Sequence, residues 1–312
     1  IIVNLSTTRK EVFHMNISLI GVPVKYGADR EGVQYGPEKL REKGLIDVVK
    51  RYKENVYDLG NLYIPEVLEE NKYAHNRKIK YFKEIVDMNT NLAHLVYSCL
   101  KADSFPFIFG GDHSLGLGSI AGASKYFKNI GVIWIDAHGD MNTEDTSPSG
   151  NAHGIPLGAA LGYGNPALVN LYYPGPKVKP ENTFIIGARD LDEGEIQLAE
   201  RIDLKIYTMD IVKKQGLKSV IDEVITKLKA SNVDAFHLSF DIDVLDKKLV
   251  PGTGTPVDGG FTLEEAKDLL KAFLETKMVR SMDFVELNPL LDEKDSTAKL
   301  CIELIDWLFK YI

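Results

Sequence analysis

Three segments of this chain end an apolar run in acids and imidazoles. FPFIFGGDHS closes on Asp112 and His113, GVIWIDAHGD on Asp136, His138 and Asp140, and HLSFDIDVLD on Asp241, Asp243 and Asp246. In an extended backbone, residues i, i+2 and i+4 point to one side. Asp136, His138 and Asp140 are therefore expected to converge, as are Asp241 and Asp243. Carboxylates cost several kcal/mol to bury unpaired, and no lysine or arginine lies within these segments to answer them. One or two divalent cations would. An oxygen-rich donor set with some imidazole and no thiolate suits Mn²⁺, with Fe²⁺, Co²⁺ or Zn²⁺ also compatible. Two such ions about 3.5–4 Å apart can activate a bridging water as hydroxide at neutral pH. The residues alone thus point to a binuclear metal hydrolase.

Not every polar residue in these segments carries that reading. A lone aspartate at a strand end is usually a turn or helix cap, which suffices for Asp112 and Asp246. A lone histidine inside a strand, His237, reads as a satisfied structural group. What caps do not explain is six acids and imidazoles gathered at three separate strand ends.

The elements that must position them alternate along the chain. Strands are expected at 17–22, 55–59, 105–110, 131–136, 183–188, 204–209, 234–243 and 279–287. Most are short, β-branched or aromatic, and apolar on both faces, as parallel strands covered by helices are. Helices lie between them. In 218–231, Val220, Ile221, Val224, Ile225 and Leu228 share a face, and 262–277 opens with a capping box of Thr262 and Glu265. The pattern predicts one α/β domain with about eight parallel strands and helices on both faces, with its site beyond the carboxyl ends of the strands. Residues 1–14 read as an N-terminal extension or expression remnant, leaving 15–312 as the domain.

Composition narrows the function class. The 312 residues are 44% hydrophobic and 26% charged with a net charge of -8, which disfavours a nucleic-acid or anionic-membrane binder. No run is long enough for a transmembrane helix. The two cysteines, Cys99 and Cys301, sit in apolar helical contexts and read as buried thiols. So few cysteines fit a cytoplasmic location.

With these residues in hand, the chain resembles the ureohydrolases and, within them, the arginases. The motifs that carry the resemblance are GGDHS (110–114), DAHGD (136–140) and SFDIDVLD (239–246), with GVQYGP near one end and FVELNP near the other. The resemblance extends from about residue 15 onward and implies an arginase/deacetylase-like fold with two Mn²⁺ ions. It implies that His113, Asp136, Asp140 and Asp241 hold one ion and His138, Asp136, Asp241 and Asp243 the other. A bridging hydroxide would attack the guanidinium carbon of L-arginine, giving L-ornithine and urea. Glu286 matches the family's guanidinium-binding glutamate and His153 its proton shuttle or general acid; with Asp140 they are the expected catalytic residues.

The loop NTEDTSPSGNAHG (142–154) matches the arginase segment that grips the α-carboxylate, through Asn142, Ser149 and Asn151. Asp192 matches the residue that meets the α-ammonium group, with Asp190 and Glu195 beside it. Thr255 resembles a supporting residue near the distal guanidinium nitrogens, whereas Thr146 reads as plain turn chemistry.

The sequence departs from many relatives at Val244 and Lys247, where a Gly and a Pro are common, and it ends at WLFKYI like a short-tailed bacterial form. The family further implies a homo-oligomer, trimer or hexamer. The alternatives are another ureohydrolase, acting on agmatine, guanidinobutyrate or formimidoylglutamate, and a non-catalytic metal-binding relative.

Overall fold

The alternation of strands and helices closes into one eight-stranded sheet. The computed structural model describes residues 15–312, so the expectation for residues 1–14 lies outside the described residues. The strands are β1 (Asn16–Gly21), β2 (Val56–Asn61), β3 (Ser104–Phe109), β4 (Ile130–Ile135), β5 (Thr183–Ile186), β6 (Lys205–Tyr207), β7 (Ala235–Asp241) and β8 (Val279–Val285). All eight fall where the sequence places them. They pair in parallel, in the order β2-β1-β3-β8-β7-β4-β5-β6.

Side chains alternate between two cores. On one face, Ile17, Leu19, Ile133, Ile135, Phe236, Leu238 and Phe240 pack with the helices at Leu217–Ala230, Leu263–Glu275 and Ser296–Phe309. On the other, Ile20, Ile108, Val132 and Trp134 pack with Phe82–Lys101 and Gly116–Tyr126. Burying a large aliphatic or aromatic side chain contributes roughly 1.5–3 kcal/mol, so both layers hold the sheet rigid beneath the site. The expected capping box forms: Thr262 Oγ1 accepts the Glu265 N–H at 3.3 Å, and the Glu265 carboxylate accepts the Thr262 N–H at 2.8 Å.

The central strands β7 and β8 depart from the expected pattern. One face of each is apolar, but the other carries His237, Ser239, Ser281 and Asp283, all buried. They lie under the helix Gly116–Tyr126, which presents Ser119 to them. Ser119 of that helix donates to Asp283 at 2.6 Å, and His237 bonds Asp283 at 3.0 Å and Ser281 at 2.8 Å. His237 is therefore satisfied structurally, as its sequence context suggests.

Strand order creates the crevice. From β3 the chain crosses to β4, then moves outward to β5 and β6 before returning to place β7 and β8 between β3 and β4. Parallel sheets bind ligands where such connections part. The carboxyl ends of these four neighbouring central strands carry the acids and imidazoles.

Candidate metal centre and substrate cleft

Each strand end delivers its groups through a tight, non-extended turn. After β3, Gly110 and Gly111 adopt φ of +82° and +72°. A Cβ on Gly110 would stand 2.3 Å from Pro37, and one on Gly111 2.3 Å from the Val22 carbonyl, so only glycine fits this turn. Asp112 then caps the following turn, accepting N–H groups from Gly27 at 2.9 Å, Ala28 at 3.1 Å and Ser114 at 3.1 Å. It acts as a cap, and Asp246 likewise accepts turn N–H groups from Lys248 and Gly259.

Asp136, His138 and Asp140 do converge, but not by the strand pleat that the period of two suggests. β4 ends at Ile135, the chain bends, and Asp140 takes a left-handed φ of +51°. Asp243 similarly sits in a 3-10 turn at Ile242–Val244.

His113 Nδ1 lies 2.9 Å from Asp136 Oδ2, 3.1 Å from Asp140 Oδ2 and 3.2 Å from Asp241 Oδ2. It has no aligned hydrogen-bond partner despite full burial. His138 Nδ1 lies 3.4 Å from Asp136 Oδ1 and 3.1 Å from Asp243 Oδ2. Two groups that could hold a cation result, His113–Asp136–Asp140 and Asp136–His138–Asp243, and Asp136 belongs to both. An orphaned ring nitrogen facing three carboxylate oxygens is a donor set arranged for a cation rather than for hydrogen bonds among its members.

The electrostatics agree. Burial, followed by repulsion from Asp136, lifts the Asp140 carboxyl to about 6. Burial with Asp243 and Asp136 nearby raises Asp241 well above the usual carboxylate range. Burial would also raise Asp136, but the flanking His113 and His138 hold it below its ordinary value. Among the described residues no lysine or arginine side chain forms an ion pair with these carboxylates, which meet only the two imidazoles. The half-buried guanidinium of Arg189 donates instead to backbone carbonyls, including those of Asp243 at 2.7 Å and Val257 at 2.9 Å.

Several residues that hold this geometry were not singled out from the sequence. His113 stacks on Trp134 with ring centroids 3.9 Å apart and planes 7° from parallel. A Cβ on Gly116 would reach within 2.7 Å of the Trp134 ring, so that glycine leaves room for the stack. Trp134 Nε1 donates to Asp136 Oδ2 at 3.0 Å. His113 Nε2 bonds Ser239 Oγ at 2.8 Å, and Ser239 donates to Asp283 at 3.3 Å. Because Nδ1 faces carboxylates, Nε2 is the natural proton-bearing atom, and the chain runs donor to acceptor from His113 to Asp283. Alternating polar residues in β7 and β8 were the available signal.

The predicted site residues gather at one cleft of about 160 Å³. His113, His138, Asp140, Asp241, Asn142, Ser149, Asn151, His153, Asp190, Asp192, Glu195, Thr255 and Glu286 all line it, while Asp136 and Asp243 lie buried behind its floor. Glu286 follows β8 at a φ of +71°. Its Oε1 accepts the His113 N–H at 2.8 Å and faces His153 Nδ1 at 3.4 Å. Burial opposes charge on His153, but Glu286 outweighs it, and the imidazole rises to about 8. Thr255 Oγ1 donates to Asp243 Oδ2 at 2.9 Å.

At the other end of the cleft, Asn142 Nδ2 donates to Asp192 at 2.7 Å and its Oδ1 accepts from Thr146 at 2.8 Å. Thr146 is thus turn chemistry that also fixes an amide. Ser149 is exposed at the rim, its Oγ accepting the Asn151 N–H at 3.1 Å. Asp190 is exposed too, 3.9 Å from His138 Nε2. Glu195 acts as a brace: its oxygens accept the N–H groups of Met141 and Asp192, both at 2.9 Å.

Known proteins share this sequence pattern and fold over nearly the whole chain. The family model of the Arginase family matches residues 15–309. Over 294 residues the chain is 44% identical to the arginase of Brevibacillus brevis, covering 94% of this chain and 97% of that protein. The native structure of Bacillus caldovelox arginase superposes with a TM-score of 0.89 at 41% identity, covering 95% of this chain and 98% of that one. Entamoeba histolytica arginase in complex with L-ornithine superposes with a TM-score of 0.86 at 34% identity, covering 94% and 98%. With its fold, acid–imidazole floor and full-length similarity in agreement, the chain belongs to the arginase family.

Proposed function

We propose that this chain hydrolyses L-arginine to L-ornithine and urea. The observation that carries the reading is a single cleft with a buried acid–imidazole floor at one end and the polar loop of Asn142, Ser149 and Asn151 at the other. That separation of functions suits a substrate with a guanidinium at one end and an amino acid at the other. The Entamoeba histolytica relative binds L-ornithine, the product this reading assigns.

His113, Asp136, Asp140 and Asp241 would hold one divalent cation, and Asp136, His138, Asp241 and Asp243 a second. Mn²⁺ fits this donor set. Bound there, such a pair supplies Lewis acidity and makes hydroxide available at neutral pH.

The chain's own residues do the rest. Glu286 offers a carboxylate to orient the guanidinium. His153, with an imidazole raised to about 8, is protonated at neutral pH and carries the proton that the leaving amine requires. Asn142, Ser149 and Asn151 offer neutral donors to the α-carboxylate, so its recognition needs no lysine or arginine among these three residues. Asp192 meets the α-ammonium, with Asp190 at the same rim and Glu195 bracing the turn between them. Thr255 fixes Asp243. By kinship we also propose a homo-oligomer, trimer or hexamer, in the cytoplasm. Among the described residues no helix is long and apolar enough to cross a membrane.

The test is urea release from arginine, agmatine and guanidinobutyrate with Mn²⁺, with Co²⁺ and without added metal. Arginine with Mn²⁺ should dominate. Preference for agmatine would replace this reading with that of another ureohydrolase, and absence of bound metal after loading would favour a non-catalytic relative.

A further inference from the structure

Lys80 stands outside every motif discussed so far, yet it touches the carboxylate end of the cleft. Its Nζ lies 2.8 Å from Asn151 Oδ1 and 2.9 Å from Asp29 Oδ2. Asp29 Oδ2 also takes Lys72 Nζ at 3.0 Å. Only 16% of the Lys80 side chain and 19% of Asp29 and Lys72 are exposed, so this is a semi-buried triad of two cations on one anion. The backbone reinforces it: Lys80 N–H donates to the Gly150 carbonyl at 3.0 Å. Gly150 has a φ of +71°, and a Cβ there would lie 2.3 Å from the Lys78 carbonyl. The segment that carries Lys80 is thus seated directly against the 142–153 loop.

These contacts settle which way the Asn151 amide faces. A lysine ammonium only donates, so the atom beside Lys80 must be the carbonyl oxygen. The Ala28 carbonyl only accepts, so the atom 3.0 Å from it must be the amide nitrogen. The NH₂ group then spends one hydrogen on Ala28 and keeps the second for a ligand. Without Lys80 the amide could turn over and present its oxygen to an incoming carboxylate, which is repulsive.

We infer that Lys80, anchored by Asp29, is the positioning residue for α-carboxylate recognition. It acts through Asn151 by holding that amide in its donor orientation. The inference rests on the proposed role of the 142–153 loop, and the experiment separates the two.

The variants are Lys80→Met, Lys80→Arg, Asp29→Asn, Asn151→Ala and the double variant Lys80→Met with Asn151→Ala, in the metal-loaded full chain. The readouts are KM and kcat for L-arginine, and inhibition constants for L-ornithine and for 1,4-diaminobutane, which lacks the carboxylate. Lys80→Met should raise the KM for arginine and the Ki for ornithine together by about tenfold, the scale of a charge-assisted contact. The Ki for diaminobutane should stay put and kcat should change by less than about threefold. Lys80→Arg should recover most of the loss. The double variant should bind ornithine no more weakly than Asn151→Ala alone, since coupled residues are non-additive. Should Lys80→Met fail to fold, Asp29→Asn, which frees the ammonium from its anchor, carries the same prediction with a smaller rise.

Unchanged ornithine binding in Lys80→Met beside weakened binding in Asn151→Ala would overturn the role of Lys80 alone. Unchanged binding in both would overturn the carboxylate reading of the loop and the inference with it. Equal weakening of ornithine and diaminobutane would make Lys80 a merely structural residue and would also overturn it.

Discussion

Glu286 Oε1 lies 3.4 Å from Nδ1 of His153, so the group proposed to orient the guanidinium also holds the proton on the group proposed to deliver it. Replacing His153 with Asn should lower kcat about 10²-fold or more while moving KM little, as loss of a proton donor does. Replacing Glu286 with Gln should drop the His153 pKa from about 8 toward its ordinary range near 6.5, measurable by NMR titration of the imidazole. The stability sign follows. A raised folded pKa means a contribution fully present below about pH 6.5 and lost as pH rises through about 8. With chelator present, wild type should therefore lose of order 1–2 kcal/mol against His153→Asn across that window in urea unfolding.

Glu195 gives a dependence of the same sign over a lower pH window. Burial pushes its carboxyl to about 7, above the unfolded value near 4.3. The folded chain then binds more protons than the unfolded one between those values, and stability falls as pH rises through them. Glu195→Gln should flatten that slope, which amounts to about 4 kcal/mol at most. It should also leave one of the Met141 and Asp192 N–H groups without its acceptor, because an amide has a single oxygen to offer. Denaturant unfolding at pH 5 and pH 8 measures both effects.

Asp136 takes part in both cation groups, so Asp136→Asn should reduce bound metal after Mn²⁺ loading more than Asp243→Asn does. Mass spectrometry of the native protein reads this directly. Ser239→Ala, which cuts the link from His113 to Asp283, should leave every ligand in place yet weaken Mn²⁺ binding about 10- to 100-fold. Calorimetric titration would show it, and wild-type affinity in that variant would mean the link does not tune the site.

Asn142 tests the substrate end. Its amide is fixed by Asp192 and Thr146, so Asn142→Ala should raise the KM for arginine about tenfold and leave metal content unchanged. Loss of metal in that variant would place the loop's role at the floor instead.

Much of this was legible from residue types alone. The eight strands announced themselves through short apolar runs, and the acids at their ends could not be buried without a counter-charge. The period of two at Asp136, His138 and Asp140 led to the right gathering for the wrong geometric reason, because Asp140 reaches the cluster through a left-handed turn that spacing does not encode. What supports the site was hidden. Trp134 looks like any core aromatic, Asp283 like a stray polar in a strand, and Lys80 like one more surface lysine in KIKYFK. Each gains its meaning from a partner at least tens of residues away or across the sheet, as in the pairing of Lys80 with Asn151 and of Ser239 with Asp283.

The return of β7 and β8 into the gap between β3 and β4 also sets an order of assembly. A chain grown through β4 and the turn that follows it, as far as Asp140, already owns His113, Asp136, His138 and Asp140, but the strands that must separate their two sources do not yet exist. Asp241, Asp243 and Glu286 arrive with the last two strands, through contacts far apart in sequence that form slowly. The centre is therefore finished last, and cation capture by a refolding chain doubles as a clock for closure of the whole sheet.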